Sequence, residues 1–375
     1  MRELQLSAPE SRGIKVRGVK EYVHKLQFVA DGSELIGWVD EERFRRNGPE
    51  ELYGTVLLRC SLATGTNEWM ELPYFFDDGA SGPFAGPMLS PDGRFLAAEI
   101  HINGYDEANN TILLSDISSG SFELPNFETS PIGFAGLLFT PDSKALIAVW
   151  NGPDGFVSGI GRFSLSCFPA PTAAGRDRDD WLSDSSRGEQ KWAWDPKPNW
   201  GRKWKTLIAK PGWTHAVAAT LSADGRFLAV VDELGHFHAA DLKTKHVTAT
   251  LEHDGRAPRG RIATRIAFDP AAQWIVQLVA GRLFARPLGT SKPWQTTQKL
   301  GYVHDFAFHP NGHIICAVFR DGEARYLDPL TGKVQQSFKW AKKPKPLYSV
   351  AFSPDGLTCA AGGENGQVIL WDVDG

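Results

Sequence analysis

One short frame recurs along this chain and limits its fold more than any other feature. An apolar pair is followed by a turn of the Ser-Pro-Asp-Gly type and then by a second apolar run. The frame reads LQFVADGSELIGWV at 26–39, GPMLSPDGRFLAAEI at 86–100 and GLLFTPDSKALIAVW at 136–150. It returns as AATLSADGRFLAVV at 218–231, IAFDPAAQWIVQLV at 266–279 and FAFHPNGHIICAVF at 306–319. The seventh copy lies in LYSVAFSPDGLTCAAGGENGQVILWDV, which runs to Val373. Residues such as Val350 and Phe352 alternate, as a half-buried strand requires. Pro ends the ladder because it has no N–H to donate. Asp or Asn accepts a local backbone bond, and Gly tolerates a positive φ. Each copy therefore predicts two strands joined by a tight turn.

A third strand follows each second one. The segments are TVLLRCSL, TILLSDI, GRFSLS, HFHAADL, RLFARPL, EARYLDP and QVILWDV. Leu234-Gly235, Asp321-Gly322 and Asn365-Gly366 lead into three of them, and Gly there suits a two-residue hairpin. A fourth segment, such as KVQQSFKW at 333–340, leads on to the next copy. Four strands in each of seven units predict an all-β, seven-bladed propeller, for which repeats of roughly 40–45 residues are expected. The last three intervals are close to that length. The earlier ones are longer, so insertions belong to the first four units.

The final unit, with Ser353-Pro354-Asp355-Gly356 and Trp371-Asp372, resembles a WD40 repeat. The resemblance covers nearly the whole chain. Trp371-Asp372 spells the Trp-Asp dipeptide, whereas the other units keep the Asp alone, at Asp116, Asp241 and Asp328. The Gly-His dipeptide of such repeats is absent, and Lys343 stands near its place in the last unit. The expectation is that the strands rely mainly on apolar packing. The resemblance also implies that the sequence repeat is offset from the blade. An N-terminal piece within 1–20 would then pair with 366–373 and close the ring, removing an exposed edge. Residues 1–375 would form one propeller.

Three segments depart from the repeat. Residues 168–205, between the third and fourth strands of unit three, hold Trp181, Trp192, Trp194, Trp200 and Trp204 among many charges. A loop this long without its own secondary structure is uncommon and usually functional or disordered. Its aromatics argue against disorder. It either packs on its own blade as a flap or serves as a partner-binding arm, since Trp and Arg are enriched at hot spots. The segments at 40–54 and 101–110 are read as lengthened loops. The first carries Arg43, Arg45 and Arg46, which either meet an acidic partner or form a solvated face balanced by Glu41, Glu42, Glu50 and Glu51.

The formal net charge of -4 argues against nucleic acid as a partner. No run approaches the roughly 20 apolar residues of a membrane span, and the first residues show no secretory signal. Cys60, Cys167, Cys316 and Cys359 sit in separate apolar runs, which reads as buried free thiols in a reducing cytoplasm. The sequence shows no nucleophile elbow, zinc-protease helix or P-loop. Gly159-Ile160-Gly161 lacks the rest of a dinucleotide fingerprint. His236 and His238 share a strand face but lack a third ligand, and Asp77-Asp78 lacks the spacing of a calcium loop. No catalytic residue, metal or cofactor is expected. The resemblance implies a non-enzymatic scaffold that binds a protein or peptide partner through propeller loops and the Trp-rich insertion. The alternative is an enzyme or small-ligand binder with a site at the central channel. The starts of the innermost strands, near Phe84, Phe134, Ala216, Ile262, Val303 and Leu347, are mostly apolar or small and weigh against it.

Overall fold

A computed structural model describes residues 2–5, 16–45, 51–71, 88–104, 107–117, 121–123, 133–152, 156–167, 205–209, 211–251, 263–288, 294–295, 301–340 and 345–373. They form seven four-stranded antiparallel sheets, the blades of a propeller. Blade 1 holds Val16–Phe28, Glu34–Arg45, Glu51–Ser61 and Asn67–Glu71; blade 2 holds Met88–Leu89, Phe95–Gly104, Glu107–Asp116 and Ser121–Glu123. Blade 3 is built from Gly133–Phe139, Ala145–Asn151, Val157–Ser164 and Lys205–Ala209, with a 3-10 turn at Leu165–Cys167. Blade 4 holds Ala216–Leu221, Phe227–Asp232, Phe237–Asp241 and His246–Leu251. Blade 5 holds Ala263–Phe268, Trp274–Val279, Arg282–Pro287 and Trp294–Gln295. Blade 6 holds Val303–Phe308, Ile315–Phe319, Ala324–Leu327 and Val334–Phe338. Blade 7 takes Leu347–Phe352, Thr358–Gly363 and Gln367–Asp372 from one end of the chain and Arg2–Gln5 from the other. In that last pairing Leu4 stands opposite Val368 and Gln5 opposite Gln367. Among the described residues no helix is long and apolar enough to cross a membrane.

The recurring turn explains itself in the structure. In blade 4 the Ser222 hydroxyl donates to Asp224 (2.6 Å) and accepts from the Phe227 amide (2.8 Å). Ser90–Asp92, Thr140–Asp142 and Ser353–Asp355 repeat the hydroxyl–carboxylate bond in blades 2, 3 and 7, at 2.5, 2.6 and 2.5 Å. The Gly of the motif has two duties. At Gly225 φ is +72°, and a Cβ there would meet Pro141 of blade 3 at 2.9 Å. At Gly356 φ is +75°, and a Cβ would meet the His309 ring of blade 6 at 2.5 Å. The motif thus needs a residue that adopts positive φ and also leaves room for the neighbouring blade's turn.

Second strands are buried on both faces because each blade packs between two others. In Ala145–Asn151 every residue is buried. Leu146, Ala148 and Trp150 face blade 2, whereas Ile147 and Val149 face blade 4. Seven apolar clusters join blades pairwise, and one of them sets Ala360, Val368 and Leu370 of blade 7 against Val23, Leu26 and Leu35 of blade 1. A fully buried Leu, Ile or Phe contributes about 1.5–3 kcal/mol, so this layer dominates stability.

One expectation is corrected here. The segments at 40–54 and 101–110 are not plain loops. Blade 1 strands continue to Arg45 and restart at Glu51, with Arg43 opposite Val19 and Leu52. Blade 2 pairs through to Gly104 opposite Glu107. Both blades therefore carry long hairpins at the end where the second strand turns into the third. Polar contacts add to the apolar packing on which the strands mainly rely. Arg94 and Arg226, each next to the turn Gly, donate through Nη2 to Asp116 (2.6 Å) and Asp241 (2.7 Å) at the end of the third strand of the same blade. Trp371 Nε1 donates to the Tyr326 hydroxyl at 2.8 Å.

Candidate functional site

The first strands share one irregularity. In blades 1, 3, 4, 5, 6 and 7 the pairing with the second strand skips one residue near the start. The skipped residues are His24, Ala135, Val217, Thr264, His304 and Tyr348. The next ones are Lys25, Gly136, Ala218, Arg265, Asp305 and Ser349. A bulge of this kind bends the strand and re-aims side chains. Both layers are polar or aromatic in blades 1, 5, 6 and 7, and small or apolar in blades 3 and 4.

The skipped residues assemble a row of rings across blades 6, 7 and 1. His304 and Tyr348 stack with centroids 5.0 Å apart and planes 5° from parallel. Tyr302 meets His304 edge-on at 5.4 Å, and Tyr22 meets Tyr348 edge-on at 5.6 Å. His24 lies 6.1 Å from Tyr348. His304 Nδ1–H donates to the Leu347 carbonyl (2.8 Å), which sets the ring against blade 7. Burial holds the His304 pKa below its ordinary value, with the Arg320 charge adding to that and the Leu347 bond opposing it. The ring is therefore neutral at pH 7. Tyr348 donates to Glu364 (3.3 Å), and burial together with that carboxylate pushes its pKa up. Half of the Tyr302 surface is open to solvent, and Phe156 and Leu234 are exposed at the corresponding ends of blades 3 and 4.

The following layer holds charge. Arg265 of blade 5 forms an ion pair with Asp305 of blade 6, whose other oxygen accepts from the Val350 amide of blade 7 (3.0 Å). Burial pushes the Asp305 carboxyl up despite that pairing. Ser349 is buried and donates to the Val23 carbonyl of blade 1 (2.9 Å). Lys25 of blade 1 touches the Met88 thioether of blade 2, and the charges of Arg265 and Asp305 both reach it. Blade 1 packs on blades 2 and 7, and blade 5 on blades 4 and 6. Lys25 and Arg265 can therefore feel each other only across the middle of the ring.

His236 and His238 converge on one carboxylate. His238 Nε2 lies 3.2 Å and His236 Nδ1 3.3 Å from Asp232, which also accepts from the Thr214 hydroxyl (2.6 Å). His238 stacks on Trp213 at 4.9 Å. Burial opposes ionisation of Asp232, but the hydrogen bonds from His238 and Thr214 outweigh it and hold the pKa below the usual carboxylate range. This knot ties the approach to the first strand of blade 4 onto the next hairpin. Among the described residues no group of three metal-ligating side chains is present.

Sequence reading missed the polar layer because it took only the starts of the first strands. Aligned one residue further in, the frames VHKLQF, VHDFAF and LYSVAF at 23, 303 and 347 show the difference from FAGLLF and AVAATL at 134 and 216. Trp181, Trp192, Trp194, Trp200, Trp204 and Arg46 lie outside the described residues. Lys205, the last residue of the Trp-rich segment, pairs with Arg162 on the third strand of blade 3. Arg43 and Arg45 stand two apart on the second strand of blade 1, and Arg43 pairs with Val19, three residues before Tyr22 of the ring row. Cys60, Cys316 and Cys359 are buried and form no disulfide among the described residues.

The family model described as WD domain, G-beta repeat matches residues 332–372, from the last turn of blade 6 to the end of blade 7. No curated protein matches the chain. Repeats of this family in general form scaffolds for protein interaction.

Proposed function

We propose that this divergent WD40-repeat propeller is a non-enzymatic scaffold that holds a protein or peptide partner on the ring row of blades 6, 7 and 1. The observation that supports this is Tyr302, His304, Tyr348, His24 and Tyr22 in mutual contact, with Tyr302 half exposed. Rigid aromatic side chains present large contact area at low entropic cost, and Tyr is enriched among hot spots. The Trp-rich segment at 168–205 and the Arg43, Arg45 and Arg46 cluster are proposed as secondary contacts. A cytoplasmic location suits the buried thiols.

A second reading, a small-ligand site at the centre of the ring, is favoured by the charged layer of Lys25, Arg265 and Asp305. The scaffold reading is tested in one experiment. Tyr302→Ala with His304→Ala is compared with wild type and with a chain whose residues 170–200 are replaced by a short Gly-Ser linker. Proteins captured by each from the native source are identified, and denaturation midpoints are measured alongside. The scaffold reading expects a partner that wild type captures and the ring variant loses at an unchanged midpoint. Capture that survives the ring substitutions but not the linker replacement moves the site to the insertion. A partner retained by both variants sinks the proposal.

A further inference from the structure

Among the described residues Lys25 has no acceptor suited to it. An ammonium carries three donors and is strongly hydrated in water. Among the described residues, the one hydrogen-bond acceptor on the Lys25 ammonium is the Met88 thioether, a weak one. Asp305, the carboxylate whose charge reaches it, is already held by Arg265 and by the Val350 amide. Two cations from opposite blades therefore share one carboxylate at the middle of the ring. Beside them is a second orphaned donor. Lys25 Nζ lies 5.7 Å from the centre of the Trp38 ring. The Trp38 indole N–H is buried and has no hydrogen-bond partner among the described residues. A buried N–H without an acceptor costs about 1–3 kcal/mol, so such groups call for an explanation.

From these two unmatched donors, we infer that Lys25 and Trp38 form a binding site for a single oxyanion group, a carboxylate or a phosphate. The anion takes the ammonium and the indole N–H as donors, and Arg265 adds favourable potential while keeping its pair with Asp305. Charge-assisted hydrogen bonds of this type are short and strong. The site is separate from the ring row, and it stands or falls without the scaffold reading.

Protonation adds a signature. Burial, helped by the Arg265 charge, brings the Lys25 pKa down to about 8, with Asp305 opposing. Among the described residues the charged groups acting on Lys25 are Arg265 on blade 5 and Asp305 on blade 6, while Met88 and Trp38 carry no charge. An anion favours the protonated ammonium, so binding is strong below that pKa and fades above it.

The test uses the full chain, with sulfate standing for a phosphate group and acetate for a carboxylate. Both probes keep a constant charge between pH 7 and pH 9.5. The Trp38 indole resonance is identified by its absence from the Trp38→Phe spectrum. At constant ionic strength and pH 7 it should shift saturably with one of the two anions, and which one names the ligand chemistry. Affinity should fall at least tenfold in Lys25→Met, and about tenfold in wild type between pH 7 and pH 9.5. The pH arm decides the matter if Lys25→Met fails to fold. No saturable shift with either anion overturns the inference, and so does a response unchanged at pH 9.5 or in a folded Lys25→Met.

Discussion

Blades 3 and 4 and blades 5, 6, 7 and 1 share the same bulge in the first strand but use it differently. In the former the two re-aimed positions are Ala135 and Gly136, and Val217 and Ala218. In the latter they are Thr264 and Arg265, His304 and Asp305, Tyr348 and Ser349, and His24 and Lys25. The small half packs by close approach, since a Cβ on Gly136 would stand 2.6 Å from the Ala219 methyl of the next blade. The polar half packs by pairing, as Arg265–Asp305–Val350 and Ser349–Val23 link blades 5 to 6, 6 to 7 and 7 to 1. One backbone geometry thus supports two ways of joining blades, and only the second brings reactive groups together.

The comparison breaks most easily at Asp305. Removing one partner of a buried ion pair costs about 3–5 kcal/mol, reduced where the surviving charge reaches solvent. Arg265 is 37% exposed, so Asp305→Ala is expected to destabilise by about 2–3 kcal/mol. Urea denaturation of Asp305→Ala, Arg265→Met and the double variant gives the coupling. Additive effects would show that the pair joins nothing.

In the small half the matching test is Gly136→Ala. One methyl in a packed contact with Ala219 should cost about 1–3 kcal/mol through overpacking, with the same denaturation readout. A neutral result would mean that the blades separate there without penalty, and the contrast between halves would lose its steric side.

A third test concerns a buried carboxylate. Glu99 lies on the second strand of blade 2 and is buried, and among the described residues neither oxygen makes a hydrogen bond of normal geometry. Burial pushes its pKa up to about 7, with the Phe134 backbone offsetting part of the effect. The folded pKa exceeds the unfolded one of about 4.3, so the folded state binds the extra proton between these values. Stability should therefore rise as pH falls from 8 through 7 towards 4.5, the opposite of a salt-bridged acid. Glu99→Gln should stabilise at pH 8 by about 1–2 kcal/mol and flatten that pH dependence. An unchanged pH profile in the variant would show that Glu99 is solvated.

Much of the fold was legible because turns are local. Ser353-Pro354-Asp355-Gly356 closes its own hydrogen bonds within five residues, so the sequence alone announces the hairpin. The third strands were legible for a similar reason, as alternation over five or six residues survives without its partners. The segments at 40–54 and 101–110 misled because Gly, Pro and charges within them resemble loop composition, while cross-strand pairing extends the ladders regardless. The ring row was hidden for another reason. Tyr22 and His24 lie near the start of the chain and Tyr302, His304 and Tyr348 near its end, and single His and Tyr residues in strands look like ordinary surface positions.

The sequence by itself determined the unit, its sevenfold repetition and the apolar faces that force each unit between two neighbours, because these depend on interactions within a few residues. The tertiary structure decided which polar residues meet. Lys25 and Arg265, and likewise His304, Tyr348 and His24, become neighbours only when blades 5, 6, 7 and 1 stand side by side with their bulges at one level. The physical reason is that charge and ring contacts act through space over a few ångströms. The order of residues along the chain does not encode such distances until the blades are assembled.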